Sequence, residues 1–258
     1  MSAANNSPIG LILLDRDGVI NEDVGAPGVI DPQQLELTHK AGTAIGNLKR
    51  AGYPVVLITN QSCVGKQLIT EQELYQGILP RLQQLLLAQD PDATWDHVFC
   101  CTTTPDVPDE RRKPSPGMIL EACRQYKVDP SQTVFVGDTL TDLQAATRAG
   151  VPVKILVSTG YGSGIVQQYY YGGGSNPPNQ EHDENDPVQQ TPRVMECSQQ
   201  EQEQNQALDS PPDNDRKVAL QSVMPFLYVK NLFEASQWIL EQQSTAATSI
   251  TTVQGTRD

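Results

Sequence analysis

The chain has 258 residues and a formal net charge of -13, with few aromatics and many glycines and prolines. That length can bury a full core. The charge argues against binding a nucleic-acid backbone, although a local cation or helix N-terminus can still admit a small phosphorylated ligand. Nothing approaches the roughly 18 apolar residues of a membrane span, and the start of the chain lacks a basic and an apolar leader region. Five cysteines, an odd number without framework spacing, read as reduced thiols. The expectation is a cytoplasmic monomer with no nucleic-acid or membrane partner.

Short apolar runs alternate with longer amphipathic ones from residue 9 to about 160. Strands are predicted at Ile9–Leu14, Pro54–Thr59, His97–Cys101, Thr133–Val136 and Val153–Val157, with helices near 40–51, 71–89, 116–127 and 140–149. Thr70 and Glu73 read as a capping box. The alternation predicts an α/β fold, a parallel sheet with helices on both faces, and the runs "GLILL" and "PVVLI" suit strands buried on both sides. The core is expected over 1–162.

From Ser175 to Asp215 ten acidic residues face one arginine, which accounts for -9 of the -13. Such composition predicts a disordered insertion, taken as 163–216. Order is expected to return over 217–245, where "VMPFLYV" reads as a strand and Asn231 with Glu234 opens a last amphipathic helix. A flexible tail, 246–258, would follow.

Ligands of open parallel sheets sit outside the carboxyl ends of the strands, so the residues there carry the chemistry. "LLDRDGV" ends the first strand on Asp15 and Asp17, which project to one side while Arg16 points away. Two carboxylates so placed need a cation or a shared proton, and they can divide the work of nucleophile and proton carrier. "ITNQS" offers Thr59 and Asn60 as uncharged partners for phosphate oxygens. In "RRKPSPG", Lys113 would stabilise charge on a phosphoryl group, and Ser115–Pro116 reads as a helix start. "VFVGDTLTD" places Asp138 past a strand, suited to an Mg²⁺ site, and the supporting Asp142 in the first turn of a helix.

In this order the set resembles the haloacid dehalogenase superfamily, whose motifs read D-x-D, S/T, K and G-D-x-x-x-D. The resemblance implies a three-layer, Rossmann-like fold and Mg²⁺ held by Asp15, Asp17 (through its carbonyl) and Asp138. Asp15 would be the nucleophile and Asp17 the acid and base, with Thr59, Asn60 and Lys113 gripping phosphate. The short gaps between motifs leave no room for a cap domain. "DRDGVINED", "AGYPVVLITNQS", "RKPSPGM" and "VGDTLTDLQAATRAGV" are similar to heptose 1,7-bisphosphate and histidinol-phosphate phosphatases. That implies substrate contacts at Asp23, Gln61, Ser62 and Arg112. Such relatives commonly carry a zinc loop, but only Cys101 remains here. Thr103, Asp109 and Arg111 replace the other ligands, so no zinc is expected. The resemblance therefore implies a phosphoric monoester hydrolase acting on a small sugar phosphate. A histidinol-phosphate phosphatase, or a non-catalytic module recruiting partners through the acidic insertion, stand as alternatives.

Overall fold

A computed structural model describes residues 9–171, 192–196 and 218–254. At its centre are strands β1 (Leu11–Leu14), β2 (Val55–Asn60), β3 (His97–Cys101), β4 (Thr133–Gly137), β5 (Val153–Val157), β6 (Arg193–Met195) and β7 (Phe226–Val229). They form one sheet in the order β3-β2-β1-β4-β5-β7-β6, parallel except for the β6–β7 pair.

Alternation along the strands sorts the core onto two faces. Ile12, Leu14, Val55, Leu57, Val134 and Val136 face one way. Against them pack α1 (Ala41–Arg50), α4 (Leu79–Gln89) and α8 (Leu232–Gln254). Leu11, Leu13, Val56, Ile58 and Phe135 face the other way, onto α5 (Gly117–Tyr126) and α6 (Leu140–Ala149). The fold is three-layered as expected. Two minor helices, α2 (Ser62–Gly65) and α3 (Glu71–Glu73), precede α4, and Thr70 caps α3 by the predicted reciprocal bonds. No cap domain interrupts the described connections.

Three boundaries differ from the sequence reading, each for a local reason. Part of the expected insertion is ordered: α7 (Gly162–Tyr171) buries Val166, and β6 buries Met195 against β7. Counting charge over a long window hides these short apolar contacts. The remainder, 172–191 and 197–217, lies outside the described residues. β7 starts at Phe226 because Pro225 has no N–H for the ladder. Finally, α8 runs to Gln254, past the expected end at 245, and the first breaker in the sequence is Gly255.

Register brings the site together. Leu14 pairs with Leu57 on one side and Val136 on the other, so the carboxyl ends of β1 and β4 lie nearly level while β2 runs on to Asn60 beside Asp15 and Asp17. The chain leaves β1 towards β2 and β3, then returns to β4 beside β1. The reversal point is therefore the crevice between the ends of β1 and β4.

Candidate active site

A pocket of about 160 Å³ opens at that crevice. Lys113 is its centre of charge. Its Nζ lies 2.8 Å from Asp15 Oδ1 and 2.6 Å from Asp142 Oδ1, and it donates to the Ile58 carbonyl at 2.9 Å. All three ammonium donors are thereby used. Asn60 holds the Lys113 backbone from both sides, accepting from its N–H (3.1 Å) and donating to its carbonyl (3.0 Å). Burial works against the ammonium, but the charges of Asp142 and Asp15 hold its pKa well above the ordinary value.

Asp142 opens α6. Thr139 is the N-cap and Asp142 returns the bond, accepting from the Thr139 hydroxyl and N–H. One carboxylate oxygen is thus spent on the helix and the other on Lys113. Asp138 stands one turn earlier, its Oδ2 accepting from the Tyr161 N–H at 3.0 Å. Gly18, in the left-handed region at φ +76°, passes so close that a Cβ there would strike the Asp138 carboxylate.

Asp15, Asp138 and Asp142 each bring a carboxylate oxygen within 4.8 Å of the others. Burial pushes Asp15 up to about 7, against the pull of Lys113. Burial and the charges of Asp142 and Asp15 push Asp138 up to about 9. Asp138 Oδ1 is buried and has no hydrogen-bond partner among the described residues. A crowd of hard oxygens with one orphaned carboxylate oxygen and too little positive charge fits a small divalent cation.

Asp17 differs from its expected setting. Arg16 does not point away; it is fully buried and donates from Nε and Nη2 to both Asp17 oxygens at 2.7–3.1 Å. Burial would raise Asp17, yet Arg16, Asn21 and Gln61 together hold its pKa below the ordinary carboxylate value. The flap after β1 turns back here through backbone bonds to the Arg16 carbonyl, and that turn delivers Asn21. A strict two-residue alternation cannot anticipate such a turn.

The remaining expected residues divide. Thr59 and Asp23 line the pocket, as does Asn60. Gln61 is buried, and its amide donates to Asp17 Oδ2 (2.9 Å) and Thr59 Oγ1 (2.8 Å). It positions those two groups and has no donor left for substrate. Ser62 begins α2 and does not line the pocket. Arg112 is also outside the lining, since its guanidinium donates to the Thr103 carbonyl at 2.6 Å. Ser115 is not a helix cap: Gly117 starts α5 and its N–H goes to the Glu110 carbonyl, where a Cβ would collide. Missed by the sequence reading were Arg16, Asn21, Thr141 and Tyr161. The last follows the end of β5, and the strand-end rule used elsewhere would have found it.

A model of the haloacid dehalogenase-like hydrolases matches residues 14–150, which span the whole set from β1 to α6. The chain belongs to the haloacid dehalogenase-like hydrolase family. It is 36% identical over 159 residues to the D-glycero-beta-D-manno-heptose-1,7-bisphosphate 7-phosphatase of Photorhabdus laumondii, covering 59% of this chain and 82% of that one. The D-glycero-beta-D-manno-heptose-1,7-bisphosphate 7-phosphatase of Bordetella bronchiseptica is 38% identical over 158 residues, 61% and 86% of the two chains. The crystal structure of the D,D-heptose 1,7-bisphosphate phosphatase from B. bronchiseptica, complexed with magnesium and phosphate, superposes with a TM-score of 0.58. It is 36% identical and covers 65% of this chain and 88% of that one.

Within this haloacid dehalogenase-like hydrolase, the stretch from Cys101 to Arg111, which the resemblance sets against a zinc loop, forms a small polar cluster. Cys101 Sγ, Thr103 Oγ1 and Asp109 Oδ2 lie within 3.1–3.4 Å of one another. Asp109 also accepts from the Arg111 N–H, and the Arg111 side chain pairs with Glu121 at 3.2 Å. One thiol, a hydroxyl and a carboxylate that satisfy each other do not fit a structural zinc.

Proposed function

We propose that the chain is a Mg²⁺-dependent phosphatase of a sugar phosphate, of the heptose 1,7-bisphosphate class, working through an aspartyl phosphate on Asp15. The observation that carries this is Lys113 held between Asp15 and Asp142, beside the orphaned oxygen of Asp138. It places a nucleophile, a fixed cation and an open oxygen site around one pocket. The relatives named above carry heptose 1,7-bisphosphate 7-phosphatase activity in their names and match over 159 and 158 residues.

An Asp15 carboxylate oxygen attacks phosphorus as the bond from phosphorus to the leaving sugar oxygen breaks. Water then attacks the same phosphorus, freeing Asp15 and releasing inorganic phosphate. The Thr59 hydroxyl would donate to the phosphoryl oxygens where negative charge builds, and Lys113 would turn to them the donor that Asp15 gives up when it attacks phosphorus. Asp17 supplies the proton that the leaving oxygen needs and takes one from the attacking water. Its bidentate bond to Arg16 keeps it ionised at rest, which suits the second half directly. In the first half the proton comes with the substrate: a phosphomonoester entering as the monoanion passes its proton to Asp17, which loosens the Arg16 pair and hands it to the leaving sugar oxygen.

Asp15, Asp138 and the Asp17 carbonyl would hold Mg²⁺, which when bound neutralises charge on the phosphoryl oxygens and on the acids. Asp142, the third acid of the cluster, is committed to Lys113 and Thr139. The same reading proposes a cytoplasmic monomer acting on a small phosphorylated substrate. Among the described residues, no helix is long and apolar enough to cross a membrane.

The test is phosphate release with Mg²⁺ from heptose 1,7-bisphosphate, hexose phosphates, histidinol phosphate and an aryl phosphate, with a chelator control. Heptose bisphosphate should be turned over best, and the chelator should abolish release. Preferred turnover of histidinol phosphate would overturn the substrate class. No turnover of any ester would overturn the enzyme.

A further inference from the structure

The turn from Ser158 to Tyr161, between β5 and α7, belongs to no motif of the sequence reading and lies beyond the matched family region. It is nevertheless tied to the site at two points. The Thr159 hydroxyl donates to the Gly18 carbonyl at 2.6 Å, and the Tyr161 N–H donates to Asp138 Oδ2 at 3.0 Å. Between them Gly160 has φ +59°, and a Cβ there would run into the Asp138 carboxylate and the Gly18 backbone. Only glycine fits that close approach. The turn thus fixes the backbone from which the Tyr161 side chain enters the pocket lining.

Single exposed aromatics are ordinary on protein surfaces. Tyr161 is different in three respects. It is 55% exposed yet lines the pocket, its backbone is anchored to a proposed metal ligand, and it shares that lining with Asp23. Asp23 comes from the opposite connection, after β1, and its Oδ1 accepts from the Gly25 N–H at 2.9 Å. It has no ion-pair partner among the described residues. An uncompensated carboxylate repels a phosphoryl group, so this rim suits the uncharged part of a substrate. A carboxylate accepts from hydroxyls, a phenol both donates and accepts, and an aromatic face covers the C–H face of a sugar.

Resting on the phosphatase reading above, we propose that Tyr161, lining the pocket together with Asp23, is a specificity-determining residue that reads the hydroxyls of the substrate's sugar. The test compares Tyr161→Phe and Tyr161→Ala with the unmodified chain on two esters, heptose 1,7-bisphosphate and p-nitrophenyl phosphate, which has no sugar hydroxyls. The ratio of kcat/KM for the sugar ester to that for the aryl ester should fall about three- to tenfold in Tyr161→Phe, the range of one lost hydrogen bond. It should fall further in Tyr161→Ala, and KM for the sugar ester should carry most of the change. An unchanged ratio in both variants, while the unmodified chain hydrolyses both esters, would overturn the role of Tyr161 alone. An unmodified chain that hydrolyses the aryl ester but no sugar phosphate would overturn it too. An unmodified chain inert on all esters would remove the phosphatase reading and this inference with it.

Discussion

Two of the buried acids, Asp15 and Asp138, are held by burial at about 7 and about 9, both above the ordinary carboxylate range of about 4. The metal-free folded chain therefore binds protons that the unfolded chain has released. That contribution to stability is fully present below about pH 4 and is lost as pH rises through 7 and then 9. A divalent cation bound by the same oxygens takes the place of those protons. In chelator, the melting temperature should fall between pH 6 and 9.5, and Mg²⁺ should raise it more at pH 9.5 than at pH 6. A Mg²⁺ effect that shrinks with rising pH would contradict the assignment of the cluster. Asp15, Thr59 and Asp138 were legible in the sequence because each lies at the end of an apolar run, where a parallel sheet must open its site, while Asp142 was marked by the helix start after Thr139 and Lys113 by the basic, proline-bounded loop "RRKPSPG". Arg16 was not, and Gln61 was read as a substrate contact instead of a partner of Asp17, because those pairings are set by how the flap after β1 folds back, and no spacing rule encodes that. Local order says which residues reach a strand end. It does not say which neighbour each will choose.

At the scale of elements, strands buried on both faces and amphipathic helices leave strong periodic signals, and those elements were found within a few residues. The misreadings lie where the signal is short. β6 is three residues with Val194 outward and Met195 inward, invisible inside an acidic stretch. The last strand and helix are more informative. β7 pairs with β5 in parallel, and Ser158 N–H reaches the Val229 carbonyl, so β7 braces the turn that carries Tyr161. Helix α8 covers the same face as α1, with Leu232, Ala235 and Ile239 fully buried. Ile239→Ala should cost about 2–5 kcal/mol of unfolding free energy, measured by denaturant titration. A cost below about 0.5 kcal/mol, the size of a surface substitution, would mean that α8 is not part of the core.

At the scale of the molecule, one sheet brings four distant segments to a crevice between β1 and β4, where a single buried lysine offsets only part of a cluster of acids in a chain of net charge -13. A chain so acidic can hold a phosphate only where its acids are matched, and the pocket matches them with Lys113 and an oxygen site suited to a cation. Whatever substrate enters, the account requires that Asp15 carry the phosphoryl group between the two half-reactions. The direct measurement is rapid acid quenching of the enzyme during turnover with Mg²⁺, followed by mass analysis of the peptide that contains Asp15. The account predicts one phosphoryl group on Asp15, absent from the chelated enzyme and from Asp15→Asn. Turnover that continues undiminished in Asp15→Asn, or a phosphoryl group found on another residue, would contradict it.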